Sequence, residues 1–117
     1  MTANIELIQF LKTKCEEEIV AKNFDEVVKI YEDLFTLTGD YHFKINIANI
    51  HYKIYKDLET ATKMYEEYCK YLESEPNFWW QYHEIRMAHE DFYNATYCVY
   101  RALDNVELDE EEDNDNE

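Results

Sequence analysis

Four histidines, three cysteines and 27 acidic residues are the groups in this 117-residue sequence with the chemistry for catalysis or metal binding. Their spacing organises none of them. His42, His51, His83 and His89 form no HExxH pair, and "HEIRMAH" at 83–89 sets two histidines too far apart for one helical turn. A zinc site assembled from His51, Cys69, His83 and Cys98 would need folding to bring distant residues together, and nothing in their spacing predicts it. Glu16, Glu17, Glu18, Glu66 and Glu67 are close enough for paired-carboxylate chemistry, but in so acidic a chain they read as solvated helical faces. A single glycine rules out a glycine-rich phosphate loop, and Ser74 sits in a turn sequence without the surroundings of a nucleophile. The expectation is a protein without catalytic residues, metal or cofactor.

The side chains that stand out are suited to binding. Eleven tyrosines are spread along the chain, and "FWWQY" at 78–82 concentrates aromatic residues. Tyrosine and tryptophan supply large, rigid contact area at interfaces. Trp79 and Trp80 are consecutive, so on a helix they cannot share a face: one is expected in the core and the other in a groove or against a neighbouring helix.

Charge limits the partners. The net charge is -16, and eight of the 27 acidic residues fall in the last stretch, "ELDEEEDNDNE" at 107–117, which leaves the preceding body near -8. A protein that neutralises a phosphate backbone needs the opposite sign, so direct nucleic-acid binding is not expected. A basic partner is favoured. The run at 107–117 has only Leu108 as an apolar residue and reads as a disordered acidic tail. Cys15, Cys69 and Cys98 form no CxxC pair, the start "MTANIELIQF" lacks a basic lead into a cleavage site, and no apolar run approaches the roughly 18 residues of a membrane span. The expected setting is intracellular and reducing, away from the membrane.

Hydrophobic periodicity predicts six helices. Ile5, Ile8, Leu11, Cys15 and Ile19 step by threes and fours over about 5–21, with Asn4 as an N-cap. Asn23, with Glu26 three positions on, has the form of a capping box before an apolar stripe through Phe24, Val27, Val28, Tyr31 and Leu34. Gly39 suits a left-handed helix end, and Asp40 a cap for the next helix. Asp57 opens the fourth helix, Pro76 suits the first turn of the fifth, and Asp91 opens the sixth, which is expected to end near Val106.

Three of these helices are near copies. "NFDEVVKIYEDL" starts at 23, "DLETATKMYEEY" at 57 and "DFYNATYCVYRA" at 91, each 34 residues after the last. Four columns share the interval: Phe24/Leu58/Phe92, Val27/Ala61/Ala95, Tyr31/Tyr65/Val99 and Leu34/Tyr68/Ala102. A repeat of that length means a helical hairpin that buries its apolar face on its neighbours.

The sequence resembles the tetratricopeptide repeat family. The third copy carries it best, with Trp79, Tyr82, Ala95, Val99 and Ala102 at the family's aromatic and small positions. The second has Ile45, Ala48, Tyr52, Ala61, Tyr65 and Tyr68, and the first Leu11, Cys15, Val27, Tyr31 and Leu34. Departures are Cys15, Asn49 and His83 at a usually small position, and Glu18 and Arg86 where an aromatic is usual. The resemblance implies an all-α fold of stacked antiparallel helical hairpins, six helices in a body of residues 1–106, with hairpins at about 5–38, 40–74 and 76–106 followed by the tail at 107–117.

It also implies a groove lined by the first helix of each hairpin. Carried onto this chain, the groove draws on Gln9, Lys12, Glu16 and Ile19, then Phe43, Asn46, Ile50 and Lys53, then Asn77, Trp80, Glu84 and Met87. Lys12, Asn46 and Lys53 echo a carboxylate clamp, but Glu16, Glu84 and the overall charge favour a helical or extended segment with apolar anchors and basic residues. With no polar helix after the sixth, Tyr97, Tyr100 and Leu103 are expected to leave an apolar surface there, for a homodimer or a dedicated protein partner. The expected function is a non-enzymatic protein-interaction module or adaptor subunit. The alternatives are a small acidic chaperone for an exported or aggregation-prone client, and an acidic mimic of nucleic acid that inhibits a DNA-binding protein.

Overall fold

Helix ends along the chain are fixed by a few identifiable bonds. Asp57 accepts hydrogen bonds from the Thr60 backbone N–H at 3.2 Å and the Thr60 hydroxyl at 2.7 Å. Asp91, 34 positions on, accepts from the Asn94 side-chain amide at 2.8 Å and, more loosely, from its backbone N–H at 3.4 Å. Both aspartates are N-caps of the kind their sequence position predicts. Asn23 differs. Its backbone sits at φ -93°, ψ 71°, and its side chain makes no capping bond; the amide instead donates to Glu18 Oε2 at 2.9 Å. That ψ lies outside the extended range that aims a cap side chain at the first-turn amides, so the capping box with Glu26 is not formed.

The protein, described by a computed structural model for the backbone of residues 2–115 and the side chains of residues 4–104, is all-α, with six helices and no strand among the described residues. The helices are α1 (Thr2–Val20), α2 (Phe24–Thr38), α3 (His42–Lys53), α4 (Leu58–Leu72), α5 (Pro76–Ala88) and α6 (Phe92–Asp115). Interior boundaries fall within three residues of those read from periodicity. The outer ends do not. α1 already starts at Thr2, and the α6 backbone continues nine residues past Val106, through sequence expected to be a disordered tail. Glutamate is a good helix former, and a helix already nucleated by its packed half propagates at one hydrogen bond per added residue.

Gly39 ends α2 in the left-handed region at φ 69°, its N–H donating to the Phe35 carbonyl at 2.7 Å. The other left-handed positions among the described residues are Lys22 (φ 61°), Lys56 (φ 58°) and Glu90 (φ 61°). They lie 34 positions apart, each one residue before Asn23, Asp57 or Asp91. After Lys22 and Glu90 the turn closes with the next N–H returning five residues, Asn23 to the Glu18 carbonyl and Asp91 to the Arg86 carbonyl, both at 2.9 Å. The repeat therefore exists in the backbone as well as in the side chains.

The chain packs as two compact units, Met1–Met64 and Tyr65–Glu117, whose boundary falls within α4. In the first, α1 packs on α2 and α2 on α3. Cys15, Val27, Ile30, Leu34 and Ile50 form its buried centre, and Ile8, Leu11, Phe24, Val28, Tyr31 and Phe43 close over it. Only the middle of the α1 stripe is covered, since Ile5 and Ile19 are exposed. In the second unit α5 packs on α6 around Phe78, Trp79, Tyr82, Ile85, Ala95, Cys98 and Ala102. Tyr65 stacks on Phe78 at 5.5 Å between ring centroids, and Trp79 meets Tyr97 edge-on at 6.0 Å.

Candidate functional site

Residues carried onto α1 and α3 as groove positions meet in the first unit. Lys12, Glu16 and Ile19 from α1, with Phe43 and Asn46 from α3, line a cavity of about 220 Å³. Its floor is Cys15, Tyr31 and Leu34. Three helices of this unit contribute to it: α1 and α3 through side chains three or four residues apart, and α2 through Tyr31 and Leu34. The Cys15 thiol and Tyr31 hydroxyl hydrogen-bond to each other. Burial, and then that bond, push the Tyr31 hydroxyl up to about 12, so the floor is neutral at physiological pH. Charge is confined to the rim, at Lys12 and Glu16. An apolar floor with a few polar rim groups suits one apolar side chain of a bound segment.

Ile50 does not reach this site. It is 8% exposed and belongs to the core cluster, one face of α3 having turned inward. Lys53 is the last residue of α3, exposed and outside the cavity lining. Gln9 is also exposed.

Trp80, Glu84, Met87 and Asn77 belong to the second unit. Trp79 is 3% exposed, its indole N–H donating to the Glu73 carbonyl at 2.8 Å, while Trp80 is 43% exposed and edge-on to His83 at 6.2 Å. The consecutive tryptophans thus take the inner and outer faces that helical spacing requires. Glu84 and Met87 are exposed on the same helix. On α6, Tyr97, Tyr100 and Leu103 are all substantially exposed. His83 occupies the usually small position of the third copy and uses it: its Nδ1–H donates to the Ala95 carbonyl of α6 at 3.1 Å.

A larger cavity, about 350 Å³, lies wholly within the second unit, lined by Glu66, Cys69, Trp79, Tyr82, Arg86, Cys98 and Arg101 among others. In the sequence, Arg86 stands out only as a departure from an aromatic position. The available signal was the pair of aromatic-to-arginine steps of four, Tyr82/Arg86 and Tyr97/Arg101. Both pairs meet: Arg86 lies 4.5 Å over the Tyr82 ring and also bonds its hydroxyl, and Arg101 donates to the Tyr97 hydroxyl at 3.0 Å while lying 4.9 Å over Trp79. Asp91 holds Arg86 at 3.0 Å, and Glu66 approaches to 4.0 Å. Arginine and glutamate are balanced around this cavity, giving it no net sign.

Burial pushes the Cys69 thiol up and the Cys98 thiol up to about 11, so neither is a ready thiolate. Among the described residues no three His, Cys, Asp or Glu side chains come together as metal ligands, and no helix is long and apolar enough to cross a membrane.

No protein-family model matches the chain, and no curated protein matches its sequence. The fold established by the structure is the six-helix all-α arrangement itself.

Proposed function

We propose that this protein is a non-enzymatic interaction module, an adaptor subunit whose helical hairpins are of the tetratricopeptide type and bind a segment of another protein. The observation that carries this reading is the cavity of the first unit, where five residues assigned to a peptide groove from α1 and α3 converge over a neutral apolar floor. An apolar side chain enters the cavity, and basic residues flanking it face Glu16 and the acidic field of the chain. Burial of one anchor in such a pocket, ringed by polar groups, is how a short segment acquires affinity.

Panning a random-peptide display library against the full chain tests this. The expected ligands share an apolar anchor with lysine or arginine beside it, and their affinity falls about tenfold on Phe43→Ala or Ile19→Asp. A library that yields no consensus, or ligands indifferent to both substitutions, overturns the reading.

A second reading, an acidic chaperone, is favoured by the exposed apolar side chains, among them Val20 and Tyr93. It predicts suppression of aggregation by an unfolded client without any sequence consensus.

A further inference from the structure

Along α6, three tyrosines and four acidic residues share one helical register. At 3.6 residues per turn, Tyr93, Tyr97 and Tyr100 fall on the same stripe as Asp104, Glu107, Glu111 and Asp115. The stripe is continuous because α6 is helical as far as Asp115, and it spans roughly 33 Å from Tyr93. Its first half is apolar and uncovered: Tyr93 is 85% exposed and Tyr100 63%, and with Thr96 and Tyr97 they line a shallow cavity of about 240 Å³. Its second half carries only negative charge at these register positions. Arg101 is the one basic residue from 92 to 117, and it is turned to Tyr97 and Trp79.

We infer that this stripe is a docking surface for a basic amphipathic helix of another protein. The partner's apolar side chains lie on the tyrosines, and its lysines or arginines lie along 104–115. Charge selects this occupant over a second copy of the chain. Two copies would each bring net charge -16, and neither has cations on α6 to place against the other's acidic half. Tyrosine rings also accept cations on their faces, so the junction of the two halves favours lysine and arginine doubly. The inference does not depend on the cavity of the first unit and stands if that cavity binds nothing.

The test uses the full chain and a synthetic amphipathic helix of leucine and lysine. Controls are a scrambled peptide of the same composition without an apolar face, and a leucine–glutamate peptide with the original pattern. Titration calorimetry should show binding of the amphipathic basic peptide at least about tenfold tighter than of the scramble, and none of the acidic peptide. The double variant Tyr93→Ser/Tyr100→Ser should lose about tenfold in affinity at every salt concentration, and both side chains are exposed enough for the fold to survive. A chain ending at Val106 should lose affinity at low salt and converge with the full chain at high salt. Equal binding of scramble and amphipathic helix, or unchanged affinity in the double variant, overturns the proposal. So does a dimer in sedimentation that the same tyrosine substitutions dissociate, which would make the occupant a second copy.

Discussion

Val27, Ala61 and Ala95 occupy one column of the repeat, and all three are fully buried. A buried alanine is a commitment to close approach, because a larger side chain has no solvent to turn towards. Ala61→Leu and Ala95→Leu should each cost about 1–3 kcal/mol in thermal melts, while an exposed alanine such as Ala21 should accept leucine without loss. Cys98 makes a second prediction. Its thiol is raised from 9.0 to about 11 by burial, so folding favours the neutral form. That contribution is complete below pH 9 and disappears as pH rises through 11. Cys98→Ala should therefore reduce the loss of stability between pH 9 and 11 in denaturant melts, leaving the parts from Cys15 and Cys69, which burial also raises, and the later loss from Tyr31 and Tyr82, both raised to about 12. At acid pH the sign reverses. Asp57 is depressed by the Thr60 hydroxyl bond and then by the Thr60 amide, and Asp91 first by the Asn94 side chain. Their contributions are present above the ordinary carboxylate range and are lost as pH falls from it through the depressed folded-state values.

At the scale of helices, the caps and turns show how much of the fold was legible. Asp57 and Asp91 announce helix starts by residue type, and Gly39 announces an end. Asn23 has the right type but the wrong ψ, a property of the turn before it that no single residue encodes. Lys22, Lys56 and Glu90 carry no signal at all, because left-handed corners are read from glycine and these are not glycine. Left-handed backbone costs an L-residue about 1 kcal/mol or more. Glycine at position 22, 56 or 90 should thus raise stability, whereas Gly39→Ala should lower it by about 1 kcal/mol. The comparison is clean at Gly39, where an added Cβ meets nothing within 4 Å and only backbone strain is left to act. Chemical denaturation of the four single variants checks both signs. The placements of Ile50 and Arg86 are not legible for a related reason: a repeat alignment gives a helix position, and local packing decides whether that position faces the core, as it does for Ile50, or a cavity, as it does for Arg86.

For the molecule as a whole, charge and length of helix are linked through α6. Removing residues 107–117 takes away eight of the 27 acidic groups and the helical backbone from 107 to 115. The truncated chain should lose the circular-dichroism signal of those nine residues with little change in melting midpoint, since among the described side chains the last buried one is Ala102. An unchanged signal would mean that those residues are not helical in solution. The three non-glycine corners act at this scale as well, because they recur at one interval and their strain is spread along the chain. Their consequence is one of chirality. A positive φ near 60° is the ordinary helical region for the mirror-image amino acid, so at 22, 56 and 90 the backbone asks for D-residues. A chemically synthesised chain with D-lysine at 22 and 56 and D-glutamate at 90 keeps every functional group, and it should melt above the all-L protein. One D-lysine at Lys29, inside α2, should do the reverse.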